Sequence, residues 1–413
     1  MHQLTKPESS VSSVDRNAIA QPSLSDQFSR LRAQTDALAA PLSPEDCQVQ
    51  SMADASPIKW HLAHTTWFFE TFILEPYADS YRAFDPAFKV LFNSYYNGIG
   101  DKPPRTERGL ISRPSLDRIR KYRAHVDAAM LEFLATTSQA AALHSLVTLG
   151  LNHEQQHQEL MLTDLKHMLS MNPSAPVYLE AVAENMVATK SATAWSSLTG
   201  GLVEIGHDAE QNQQFAFDNE SPRHQVFLRP YQIANRLVSN REYLAFIADG
   251  GYSRHDLWLS DGWDRVRFDR WCAPMYWREE RGAWTEFTLY GTQALDLDAP
   301  VCHVSFFEAD AYARWAGARL PTEAEWEHAV SAADALTQYF GSRWQWTASA
   351  YLGHPGFTVA AGAVGEYNGK FMCNQFVLKG SSSATAEGHS RVTYRNFFQP
   401  EKRWQFSGIR LAR

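Results

Sequence analysis

At 413 residues the chain is too long for one compact core and short for three ordinary domains, so two domains are expected. Its 38 Lys and Arg stand against 46 Asp and Glu, a net charge of −8 without runs of like charge, which argues against nucleic acid and membrane as partners. An aromatic content of 13% excludes disorder for most of the chain.

Residues 1–24, rich in Ser and Gln with Pro7 and Pro22, read as a flexible N-terminal arm. They lack the apolar core of a signal peptide, and no stretch reaches the roughly 18 apolar residues of a membrane helix. Cys47, Cys272, Cys302 and Cys373 are scattered without CxxC spacing, so free thiols and a cytoplasmic protein are expected. From Ser25 to Ser170 the apolar period is mostly 3.6, predicting helices over 25–39, 44–53, 56–75, 115–136 and 139–170. Ser56 before Pro57 reads as a cap followed by proline at the first helical position. The long segment 76–114, with Asn93, Gly98, Gly100, Pro103 and Pro104, reads as a functional loop. After Met171 the texture changes to short alternating runs, which places a boundary near 175–195 and divides the chain into 25–180 and 181–413. In the second part, 233–249, 305–317 and 322–332 are the helix candidates among many strands, so the fold class is α+β and multidomain.

Asn152-His153-Glu154-Gln155-Gln156-His157 lies within the strongest helix, and its periodic face runs Leu146, Leu149, His153, Gln156/His157, Leu160. Both histidines therefore sit one turn apart on the face that points into the core. Burying two imidazoles and an amide without partners costs several kcal/mol, on the order of the polar desolvation penalty, and a metal removes that cost. A third ligand is offered by His61 or His64: His64 shares a face with Trp60 and Trp67, while His61 lies about a quarter turn away toward Phe68 and Phe72. Periodicity does not separate them. His144 and His167 read as ordinary histidines. The same run fits the zinc-hydrolase pattern H-E-x-x-H, with Glu154 as base and Glu180 or Glu184 as third ligand. Against a metzincin, Leu160 and Thr163 stand where Gly and the third His belong, and a zinc hydrolase explains neither the upstream histidines nor the second domain.

Taken in order, Ala53–Glu70, Phe92-Asn93-Ser94-Tyr95-Tyr96, the HEQQH helix, Arg319–Glu327, Trp344-Gln345-Trp346-Thr347 and Phe406–Arg410 resemble the nonheme-iron sulfoxide synthases of ergothioneine biosynthesis, the EgtB family. The resemblance covers nearly the whole chain from about residue 25. It implies a DinB-like four-helix bundle holding Fe(II) on His64, His153 and His157, followed by a C-type-lectin-like domain similar to the formylglycine-generating (sulfatase-modifying) enzymes. It implies an oxidoreductase that joins the sulfur of a cysteine-type thiol to C2 of the imidazole of hercynine, while O₂ oxidises that sulfur to a sulfoxide. Three neutral imidazoles leave open positions on iron for such reactants.

The resemblance also assigns roles. Gln156 would hydrogen-bond hercynine, Asn396 and Phe397 would contact it, and Arg105 and Arg108 would grip the carboxylate of the thiol substrate. Tyr95 and Tyr96 would supply a phenolic proton or hydrogen atom. One branch of the family takes its active tyrosine from the second domain, just before a Glu-Tyr pair resembling Glu366-Tyr367; the matching position here is Val364, which favours the loop pair. Phe398 stands where the branch using γ-glutamylcysteine has an acidic partner, so cysteine is the favoured thiol over γ-glutamylcysteine. Lys379-Gly380-Ser381-Ser382-Ser383 replaces a Gly-Gly-Ser turn and is expected to be structural. Related scaffolds make ovothiol or selenoneine, but an ovothiol enzyme would carry an added methyltransferase domain.

Overall fold

The computed structural model describes residues 22–136, 140–180, 192–333, 335–359 and 362–413. Four long helices form the N-terminal bundle: Leu24–Ala39, Ile58–Phe69, Leu116–Thr136 and Ala140–Ser170. The first is capped by the Ser23 side chain accepting from the Asp26 N–H, and it buries Phe28, Leu31, Arg32, Thr35 and Ala39 along one stripe. The second is buried on every side, packed between the third and the fourth. It runs into a π-helical turn, Glu70–Leu74, where Glu70 takes hydroxyl hydrogens from Tyr81 and Tyr122, each at 2.5 Å. Gly150 lets the fourth helix approach the second, because a Cβ there would lie 2.7 Å from the Phe69 ring.

Three expectations for local structure are corrected. Residues 44–53 form turns, because Asp46 and Ser43 bond each other and the Cys47 carbonyl accepts from the Lys59 N–H at 2.9 Å. The Gln48 and Gln50 amides then reach the carbonyls of Gly109 and Arg105, which ties this segment to the arginine loop. Ser56 does not cap the second helix: its N–H goes to Asp164 and its hydroxyl accepts from Arg108. Residues 233–249 divide into the end of a strand, Tyr231–Ala234, and a helix, Asn240–Ala248, started by a Ser239/Glu242 capping box. Of the expected arm, residues up to 21 lie outside the described residues, as do 181–191 at the expected boundary.

The second part centres on a four-stranded sheet in the order Asn396–Phe398, Phe376–Gly380, Trp344–Ala350, Ser407–Gly408, antiparallel except for its last pair. The second part also holds two two-stranded ladders and a meander, Trp277–Glu280, Ala283–Thr288 and Gly291–Ala294. The acidic run Arg319–Glu327 is structural: Glu323 pairs with Arg395, Glu325 with Arg319, and Glu327 with the fully buried Lys379. The fourth bundle helix carries much of the contact between the two parts. Glu159 accepts from Trp344, Ser382 and Thr385, and the Lys166 ammonium stands 2.7 Å from His303.

Candidate metal centre

His64 from the second helix and His153 and His157 from the fourth converge in the bundle core, with one nitrogen of each ring within 4.8 Å of the others. All three are buried. His64 Nδ1 lies 2.6 Å from the Phe92 carbonyl oxygen, which directs Nε2 inward, where it has no partner among the described residues. Neither ring nitrogen of His153 has a partner among the described residues. Burial, with the neighbouring imidazoles, holds His64 and His157 well below the usual histidine range, and burial brings His153 down to about 3. Neutral imidazoles with orphaned, convergent nitrogens fit a cation with nitrogen-type affinity, since they gain partners when one is bound. His61 is not part of the triad; it stands behind His157 and contacts it at 2.8 Å.

The aromatic walls follow from the Trp60–Phe69 sequence. Trp60 stacks on His64 at 4.5 Å, Trp67 stacks on its neighbour His64 at 5.4 Å, and the Arg108 guanidinium lies 3.4 Å from the Trp60 ring centroid. Arg108 is buried, bonded to Ser56 and Ser94, and its Nε has no partner among the described residues. Burial and the Arg105 charge lower its pKa to about 9, so it stays cationic at neutral pH. Arg105 is exposed and donates to the Asp54 carbonyl.

Tyr95 and Tyr96 pack against each other with hydroxyls 3.5 Å apart, in a loop that Asn93 ties down through the carbonyls of Tyr96 and Gly100. Burial raises both phenol pKa values, so both keep their protons at neutral pH. Tyr95 meets the triad through Tyr367, whose ring lies 6.0 Å from Tyr95 and 5.5 Å from His153. The Gln156 amide is held at both ends, accepting from the Tyr367 hydroxyl and donating to the Tyr394 hydroxyl at 2.5 Å. Phe397 packs face to face on Tyr351 at 4.0 Å and approaches the site through Phe371, which stands edge-on to Tyr95. Asn396 lies on the opposite strand face, with Phe398, which packs on Trp404. The site therefore brings together the triad, Gln156, Arg108 and the tyrosine pair, while Arg105 and Phe397 stand further out.

Sequence reasoning passed over Tyr367 and Tyr394 as site members, and over His61 and Asp164 as a pair. A cavity of about 430 Å³ opens between the fourth helix and the second part, lined by His144, Thr148, Phe215, Phe217, Asp218 and Tyr367. Tyr367 is thus shared between cavity and triad. Glu154 is turned to other work: it is fully buried and engaged by Arg32 at 2.8 Å and Arg123 at 3.5 Å, so it is not free to act as a hydrolytic base. Glu180 is exposed, and Glu184 lies outside the described residues.

A helical bundle with a buried three-imidazole centre, joined to a sheet domain that adds tyrosines to the site, defines a two-domain architecture. Residues 27–161 match the DinB superfamily and residues 181–343 match the sulfatase-modifying factor enzyme 1-like domain. The chain is 30% identical to the hercynine oxygenase of Mycobacterium tuberculosis over 402 residues, covering 86% of this chain and 91% of that one. It is 30% identical to the hercynine oxygenase of Mycolicibacterium smegmatis, again over 86% of this chain and 91% of the relative. It also matches the ergothioneine biosynthesis protein 1 of Schizosaccharomyces pombe at 28% identity, over 58% of this chain and 33% of that protein. The chain belongs to the hercynine oxygenase family, and it is an enzyme of the oxidoreductase class. Among the described residues no helix is long and apolar enough to cross a membrane.

Proposed function

We propose that this enzyme uses Fe(II), held by His64, His153 and His157, and O₂ to join C2 of the hercynine imidazole to the sulfur of a cysteine-type thiol as a sulfoxide. The observation that carries the proposal is the convergence of three buried imidazoles, with unpartnered nitrogens on His64 and His153 among the described residues, beside an anchored Gln156 and a buried Arg108. When bound, iron would supply adjacent positions for the thiolate and O₂ and the redox capacity that O₂ chemistry needs. One oxygen atom ends on sulfur, and the other leaves as water with the hydrogens displaced from carbon and sulfur. Gln156, with its amide plane fixed by Tyr367 and Tyr394, binds the hercynine imidazole by exchanging one phenol for it. The aromatic faces of Phe215, Phe217 and Tyr367 suit a trimethylammonium that has no hydrogen to donate. Arg108 grips the thiol substrate's carboxylate with its free Nε–H, and Arg105 adds charge at the rim.

The paired phenols hold the proton that the reaction needs near the oxidised sulfur. Tyr95→Phe and Tyr96→Phe should each lower sulfoxide formation, by about 10²-fold for the phenol that transfers the proton, with metal still bound. Mass analysis of products alongside metal stoichiometry checks this; unchanged yields in both variants remove the phenols from the mechanism. Phe398 packs on Trp404 and offers no charge to a γ-glutamyl ammonium. Cysteine is therefore the expected thiol. The direct experiment is O₂ consumption by the anaerobically Fe(II)-loaded protein with hercynine and either cysteine or γ-glutamylcysteine. Sulfoxide from cysteine supports the whole proposal, sulfoxide only from γ-glutamylcysteine overturns the reading of Phe398, and no uptake with either thiol overturns the activity.

A further inference from the structure

We propose that His61 and Asp164 form a positioning relay behind the metal ligand His157, and that the second domain completes this relay through Trp404. The inference rests on the metal-centre reading above. His61 Nδ1 lies 2.8 Å from His157 Nδ1, and His61 Nε2 lies 3.1 Å from Asp164 Oδ2. Asp164 is itself held on both oxygens: Oδ2 accepts the Ser56 N–H at 2.8 Å, and Oδ1 accepts the Trp404 indole N–H at 3.2 Å.

The proton positions follow from the partners. A carboxylate only accepts, so His61 carries its hydrogen on Nε2, and its Nδ1 is left as an acceptor. His157 must then donate from Nδ1, which leaves its Nε2 as the bare nitrogen available to a metal. The relay thus fixes both the tautomer and the tilt of His157, and the carboxylate behind it makes the ligand more basic. His64 is oriented more weakly, by the neutral Phe92 carbonyl, and among the described residues His153 has ring packing but no hydrogen-bond partner. The three ligands are therefore supported unequally, and His157 is the one tied to a charge. This accounts for two histidines three residues apart in the second helix, His64 facing the centre and His61 standing behind a ligand from another helix. It also gives the second domain a hold on the metal site beyond covering it. Trp404 is buried, and it reaches across to a carboxylate on the fourth helix.

The test is a titration of the full-length metal-free protein with Co(II), read by its visible ligand-field spectrum, in wild type and in His61→Leu, His61→Gln, Trp404→Phe and His153→Ala. His61→Leu should bind Co(II) about 10–100-fold more weakly, with a shifted spectrum, as loss of an outer partner of a metal-binding histidine does. His61→Gln should recover part of the affinity, because its amide oxygen can accept the His157 Nδ1–H. Trp404→Phe should weaken binding by a smaller factor in the same direction, although it lies in the other domain, and it carries the test if His61→Leu fails to fold. Wild-type affinity and spectrum in both His61→Leu and Trp404→Phe would overturn the relay. A His61→Gln variant as weak as His61→Leu would reduce His61 to packing and overturn it equally. If wild type binds Co(II) no better than His153→Ala, the metal-centre reading itself falls, and the relay with it.

Discussion

His153→Ala is expected to abolish metal binding and turnover together. Its ring centroid lies 4.6 Å from that of His157 and 5.1 Å from that of His64, and its two nitrogens have no other partner among the described residues. Four-ligand structural zinc sites bind with about 10–16 kcal/mol, so one ligand carries on the order of 3 kcal/mol, two orders of magnitude or more in affinity. The metal-free fold should be little affected: truncation leaves a cavity, but it also removes an unsatisfied polar ring, and these effects oppose each other within ~2 kcal/mol. Acid should separate the two proteins further. Burial keeps His153 neutral to about pH 3 in the fold, whereas an unfolded chain protonates its histidines near pH 6.5, at about the ordinary value. Below that value the unfolded state binds more protons, so stability falls with acid, and the Ala variant should show a shallower fall between about pH 6.5 and 3. Metal titration, turnover and melting at several pH values check this; stoichiometric metal and retained turnover in the variant would remove the three-histidine assignment.

The sequence was most legible where a helix has one wet and one dry face. His153 and His157 stand out because this part of the fourth helix alternates buried with half-buried positions, so an imidazole on the buried stripe is conspicuous. The second helix has no wet face: all of Ile58–Phe69 is buried, so periodicity carries no direction and could not say whether His61 or His64 faces the centre. Resemblance chose His64, and the partner that separates them in space, Asp164, is 103 residues beyond His61 and invisible to any local pattern. Tyr367, visible in sequence as half of the Glu366-Tyr367 pair, was not placed in the site for a similar reason. It enters through a short 3₁₀ segment and joins the site only when the second domain docks on the fourth helix. The failed helix over 44–53 shows the reverse case, where a tolerable local pattern lost to tertiary partners: the Cys47 carbonyl and the Gln48 and Gln50 amides are all engaged by distant segments.

Glu154→Gln separates the two chemistries that the H-E-x-x-H pattern allows, and its main expected effect is on stability. In a zinc hydrolase this carboxylate is the general base, and its loss would cost about 10²–10⁴ in rate with the fold intact. Here it is fully buried between Arg32 of the first helix and Arg123 of the third, whose other nitrogens reach Asp127 and Asp36. Burial alone would raise its pKa, but the two guanidiniums outweigh that and hold it below the ordinary carboxylate range. Removing the charge leaves two buried cations facing a neutral amide, which costs about 3–5 kcal/mol, a fall in melting temperature of roughly 10 °C. The depressed pKa means that the stabilisation is present above the ordinary carboxylate range and is lost as pH falls through the lower folded value, so the Gln variant should lack that part of the acid sensitivity. Turnover per folded molecule should stay within a few-fold of wild type, because the triad uses the neighbouring helix positions and not this one. Melting curves from pH 7 down to 3, with turnover measured well below the melting point, test the argument. An unchanged melting temperature with turnover lost would return Glu154 to the chemistry and overturn its structural role.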